Sequence, residues 1–188
     1  MISYRITKFN PKKRNQDGAY LDDSEWTSIS DIGNPKYRNV TYQEYEKIET
    51  AYVDSIKQIL KSKNIENLLI DSLESYNSAD DFDDFRKEGR LKNLHIDFNK
   101  DIKGLKEKAV LEFNKIDKII RLILRETIWM NLINSGIKII FGYDYYMYVE
   151  CSELNDSIIK NIEKMGLFVE PNMGQTEFII VDENGNEI

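Results

Sequence analysis

The chain has one histidine, one cysteine and three prolines among its 188 residues, and each scarcity excludes something. With His95 alone, a Ser-His-Asp or Cys-His arrangement would have to use that residue, and its position between Leu94 and Ile96 suits a structural or surface role better. One His and one Cys exclude the usual zinc sites built from several Cys and His ligands. Cys151 has no partner within the chain for a disulfide, which fits a reducing compartment. Neither GxGxxG nor a P-loop occurs, so the common phosphate cradles are missing. No apolar run nears the roughly 20 residues needed to span a bilayer, and Met1 to Arg5 does not open a signal peptide. The expected location is cytoplasmic, with no membrane partner and no cofactor.

What is present is an ordinary globular balance, 41% hydrophobic and 31% charged, in a length suited to one domain over residues 1–188. The net charge of −7 disfavours nucleic acid as a partner. It is unevenly spread: residues 1–40 and 91–150 each carry +2, residues 41–90 carry −5 and residues 151–188 carry −6. The basic run Lys12-Lys13-Arg14 reads as a solvated turn, since Asp17, Asp22 and Asp23 follow it. Heavy use of Ile, Asn, Lys and Tyr is that of an AT-rich bacterial genome.

Periodicity predicts the elements. Alternation over residues 2–9 predicts a strand that ends at Asn10-Pro11. A turn is expected at Asp17-Gly18 and a second strand over Glu25 to Ile29. Thr41 and Glu44 form a capping box, and Tyr45, Ile48, Tyr52, Ile56, Ile59 and Leu60 continue it as an amphipathic helix. Residues 67–76 read as a strand, 77–89 as an acidic loop, and short strands are expected near Leu94-Ile96 and Ala109-Phe113. The stripe from Ile116 to Leu132 predicts a long central helix, capped by Asn114 and stopped at Ser135-Gly136. Strands at 137–141 and 145–151, a short helix capped by Ser152, and strands at 167–169 and 178–181 complete the chain, with a turn over 171–174 and a polar tail from Asp182. This order predicts an α+β fold, a mainly antiparallel sheet with two long helices and one short helix packed on it.

Candidate surfaces are few. Asp80, Asp81, Asp83 and Asp84 lack the glycine and glutamate of a calcium loop and read as a solvated acidic segment, with a partner-binding patch as the functional alternative. In the segment Phe141 to Tyr148, strand geometry puts Tyr143, Tyr145, Met147 and Val149 on one face and Asp144, Tyr146 and Tyr148 on the other. Either both sets are core, or the second is a binding face. Trp26, flanked by Glu25, Thr27 and Ser28, is a better interface candidate than Trp129. Arg121 and Arg125 lie one turn apart, where they either pair with acidic neighbours or clamp an anion.

Four blocks carry a resemblance: residues 1–8, 25–33, 120–126 and 141–148. They resemble small acidic bacterial proteins of unassigned function, similar in character to immunity proteins that neutralise polymorphic toxins. The resemblance implies a non-catalytic inhibitor whose partner is a protein, often a basic toxin domain. The contacts offered by the residues themselves, independently of the resemblance, are Trp26, Asp80, Asp81, Asp83, Asp84, Asp144, Tyr146 and Tyr148. Two other readings stand beside it. One is an enzyme with Arg121 or Arg125 in a pocket with Tyr143, Asp144 or Tyr146. The other is a structural or regulatory module that forms a homo-oligomer through an exposed sheet face.

Overall fold

The computed structural model describes residues 1–16, 18–75 and 79–171. The expected strand at 178–181, the turn after Pro171, Tyr76, Asp17 and the tail from Asp182 lie outside them. The described chain is α+β: a seven-stranded antiparallel sheet with helices. The strands are β1 Ile2–Thr7, β2 Asn67–Ser75, β3 Val110–Glu112, β4 Ile128–Asn134, β5 Ile137–Phe141, β6 Tyr146–Cys151 and β7 Phe168–Pro171. Their order across the sheet is β3-β2-β4-β5-β6-β1-β7. The helices are α1 Tyr42–Ser62, α2 Ala79–Lys87, α3 Phe113–Leu124 and α4 Asp156–Lys164. None is long and apolar enough to cross a membrane.

Strand alternation sorts the side chains into two faces. Tyr4, Ile6, Leu68, Ile70, Met130, Leu132, Ile137, Ile139, Met147 and Val149 are buried and form the inner face with the apolar stripes of α1 and α3. Burying such aliphatic side chains is worth about 1.5–3 kcal/mol each. Arg5, Asn131, Lys138, Tyr146, Tyr148 and Glu150 alternate with them and point to the other, open face. The α1 capping box forms as expected: the Thr41 hydroxyl accepts from the Glu44 amide (3.2 Å), and the Glu44 carboxylate accepts from the Thr41 amide (2.8 Å).

Several expectations are corrected. The long central helix stops at Leu124. Glu126 enters the left-handed region (φ 56°), and the Thr127 amide and hydroxyl both donate to the Leu122 carbonyl. Ile128, Met130 and Leu132 then continue as a strand; their spacing of two is that of a sheet face, and only Ile128 and Leu132, four apart, also fit the helical stripe. The cap is Glu112, with no side-chain cap bond, rather than Asn114. The acidic segment is a helix rather than a loop: Phe82 and Phe85 are buried on one side of α2 and pack edge to face. No strand forms over 25–29, where Ser28 instead caps a 3-10 turn at Ile29–Asp31. None forms at 94–96, which precedes a π-helical turn at Phe98–Ile102. Asn155 rather than Ser152 caps α4, and β1 ends at Thr7.

Candidate functional site

Three local irregularities meet at one place on the open face. First, β4 and β5 pair only from Leu132/Ile139 to Asn134/Ile137, then part. The Trp129 indole bridges the split by donating to the Phe141 carbonyl (3.0 Å). Second, β2 is bulged between Asp71 and Glu74, with Ser72 at φ 53°. The Glu107 carboxylate holds the bulge by accepting the Ser72 and Leu73 amides, both at 2.8 Å, and these bonds lower its pKa. Third, the β5–β6 turn puts two non-glycine residues, Asp144 and Tyr145, in the left-handed region (φ 57° and 61°). Bulges and such dihedrals cost energy and recur beside functional sites, where they re-aim side chains.

Tyr145 is the residue that the turn re-aims. It is buried, its hydroxyl donates to the Tyr45 hydroxyl (2.7 Å) and lies 2.9 Å from the Leu124 carbonyl, and its carbonyl accepts from Tyr52 (2.5 Å). Burial pushes the Tyr45 and Tyr145 phenols well above their ordinary pKa. Tyr143 is thrown outward and is 83% exposed.

Between these features lies a groove of about 1320 Å³ that spans β2, β4, β5 and β6. Trp129, Ile140 and Tyr146 give it an apolar and aromatic lining. Around it stand five carboxylates, Asp71, Glu74, Glu107, Glu126 and Asp144, against one lysine, Lys138. Lys108 neutralises Asp71 and Arg90 neutralises Glu126 (3.3 Å), which leaves the surround with two more negative charges than positive. Glu74 and Asp144 are exposed and in no ion pair among the described residues. The Asn131 Oδ1 is buried in the lining without a hydrogen-bond partner.

The sequence-predicted residues divide. Asp144 and Tyr146 line the groove. Tyr146 accepts from the Arg14 guanidinium (2.9 Å), and Tyr148 lies on the same face opposite Arg5. Asp80, Asp83 and Asp84 are exposed on α2 and Asp81 is half-buried; Asp83 pairs with Arg86 and Asp84 with Lys87. Trp26 is not at a surface: it is 7% exposed, 4.9 Å from the Tyr145 ring, with the Lys8 ammonium 4.1 Å from its own. Trp129 takes the half-buried position instead. His95 is exposed, and Cys151 is buried, its thiol pKa raised by burial.

Arg121 and Arg125 belong elsewhere. Both grip Glu49, which is fully buried: Arg125 Nε and Nη2 at 2.5 and 2.8 Å, Arg121 Nη1 at 2.6 Å. Arg125 is 1% exposed and its remaining nitrogen donates to the Arg90 and Lys92 carbonyls. Every nitrogen of that fork is used within the protein, as in a structural clamp. The two arginines border a separate depression with Thr50 and Asp117, so the expected pocket joining them to Tyr143, Asp144 or Tyr146 does not occur. Among the described residues, no group of three or more His, Cys, Asp or Glu could hold a metal ion. No family model, curated protein or solved structure matches the chain.

Sequence reading missed Glu49, Trp129, Asp71, Glu74 and Glu107. Glu49 had a signal: a carboxylate placed four residues after Tyr45 and three before Tyr52, inside an apolar stripe. Glu107 had none, since its role depends on a bulge formed 35 residues earlier in the chain.

Proposed function

We propose that this chain is a non-catalytic, immunity-type inhibitor that binds a basic toxin domain through the open sheet face. The observation that carries the reading is the groove: excess carboxylates around an aromatic lining, at the split between β4 and β5, where it reaches from the open face in to Tyr52, Leu124 and Tyr145. Charge complementarity speeds encounter with a basic partner, and aromatic anchors supply the short-range affinity. The dominant buried arginine cluster is consumed in holding α1 to α3, so it lends no cation to a substrate.

Co-expression with the product of the neighbouring gene is the direct test. The expected result is a complex that survives purification and cells protected from that product. A neighbour that neither binds nor is neutralised would overturn the reading.

A further inference from the structure

We infer that the groove receives a short extended segment of the partner that carries arginine side chains; this rests on the protein-binding reading above. Four observations select that occupant.

The first is dimension. The groove crosses four neighbouring strands, whose three gaps would total about 14 Å at about 4.8 Å each and somewhat more because β4 and β5 part there. An extended chain advances about 3.3 Å per residue, so about four residues cross it. The second is the placement of charge. Glu74 stands at the β2 side and Asp144 at the β5–β6 turn, so the carboxylates without ion pairs lie at opposite ends. Side chains at alternate positions of an extended segment point the same way, and cations four positions apart, about 13 Å, address both ends.

The third is the floor. Trp129 is tethered by its indole N–H to Phe141, which fixes the ring in the split between β4 and β5. A planar guanidinium stacks on such a ring and still offers donors at its edge, which a lysine ammonium does less well. The fourth is Asn131, whose Oδ1 is a buried acceptor without a donor, in register with Asp71 across β2 and β4. A buried acceptor left unpaired is unfavourable, and a guanidinium brings five N–H groups to remove that penalty.

The test uses the full chain and a dye-labelled, end-blocked octapeptide of alternating arginine and valine, with binding read by fluorescence anisotropy. A control peptide carries citrulline, the neutral isostere, at each arginine. The protein variants are the double substitution Glu74→Gln with Asp144→Asn, and separately Trp129→Phe. The expected result is roughly tenfold weaker binding of the citrulline peptide and a similar loss in the double variant, about 1.4 kcal/mol each by the tenfold relation. Binding of the arginine peptide should also weaken as salt is raised. Circular dichroism checks that each variant is folded. Equal binding of the two peptides, an unaffected double variant, or no binding at all would overturn the inference. A toxin partner bound equally by the native chain and the double variant would overturn it too, while leaving the inhibitor reading intact. Arginine-peptide binding by a chain without any protein partner would do the reverse.

Discussion

Glu49→Gln is the sharpest perturbation of the fold. The substitution keeps volume and one carbonyl oxygen, removes the negative charge and turns an NH2 group toward two guanidiniums. Three charge-assisted hydrogen bonds end on the Glu49 carboxylate, and the Arg125 partner is 1% exposed. At about 1.5–3 kcal/mol for each hydrogen bond to a charged group, the sum is an upper bound, because Arg121 relaxes toward Asp117 at 2.9 Å. Breaking a buried ion pair from one side costs about 3–5 kcal/mol, and about 4 is the expected loss. With an m-value of roughly 2–3 kcal/mol/M, the urea midpoint falls by about 1.5 M. Arg121→Met should cost far less, since Arg121 keeps solvent access and Glu49 keeps both bonds to Arg125. The double change Glu49→Leu with Arg125→Met should recover part of the Glu49→Gln loss, because no charge then stays buried opposite an empty place. A Glu49→Gln cost below about 1 kcal/mol, or an equal cost for Arg121→Met, would refute the clamp.

Lys8 predicts a stability that rises with pH. Burial pushes its ammonium from 10.5 down to about 8, against the pull of Glu25 (3.3 Å). Between pH 8 and 10.5 the unfolded chain holds the proton and the folded chain has lost it, so stability increases with pH across that window, by roughly 3 kcal/mol in full. The buried Tyr45 and Tyr145 phenols act oppositely above about pH 10 and the buried Cys151 thiol from about pH 8.5, where the unfolded chain ionises first, so the rise is read between about pH 8 and 9.5 as the difference in slope from Lys8→Met, in which those groups cancel. Urea melts of Lys8→Met should show a smaller or falling slope; the same slope in both proteins would refute it. Tyr145→Phe removes the donor to the Tyr45 hydroxyl and to the Leu124 carbonyl and leaves Tyr45 its longer bonds to Glu49 and Leu124 (3.4 Å each), at a cost of about 1–2 kcal/mol by urea melt, and a loss under about 0.5 would show that the hydrogen bonds are idle. Phe82→Ala should cost about 3 kcal/mol in thermal unfolding if α2 is anchored by that ring.

Legibility followed the range of the forces. The α1 helix was readable because its cap and stripe are local, and the β5–β6 hairpin because its apolar residues alternate. The α3–β4 boundary was not: Ile128 and Leu132, four apart, fit both periods, and the deciding events are a left-handed Glu126 and a threonine that folds back on Leu122. α2 was hidden by composition, since four aspartates suggest a solvated loop while Phe82 and Phe85, three residues apart, supply a buried side. The two tryptophans exchanged roles for a tertiary reason. Polar neighbours made Trp26 look exposed, yet Lys8, Tyr45 and Tyr145 close around it. The groove was half visible, through Asp144 and Tyr146. Its β2 side depends on a bulge that no local pattern announces.

Two acidic surfaces emerge, and under the proposed inhibitor reading they would play different parts in one binding event. The α2 aspartates are exposed, and Asp83 and Asp84 already have basic neighbours one turn on, so they add little short-range energy. Their field still reaches about a Debye length, some 8–10 Å at ordinary salt, far enough to bias encounter with a basic domain. The groove carboxylates sit beside Trp129 and a buried acceptor, where an occupant displaces water and a charge pair is less screened. Charge removal at Asp80 and Asp83 should therefore slow association several-fold, with the effect vanishing near 0.5 M salt and dissociation unchanged. Charge removal at Glu74 and Asp144 should chiefly speed dissociation, with an effect that shrinks at that salt but does not vanish. Stopped-flow or surface-binding kinetics with the basic toxin domain that the proposal calls for separate the two. If the α2 changes accelerate dissociation more than the groove changes do, the partner sits on α2 and the groove is a bystander.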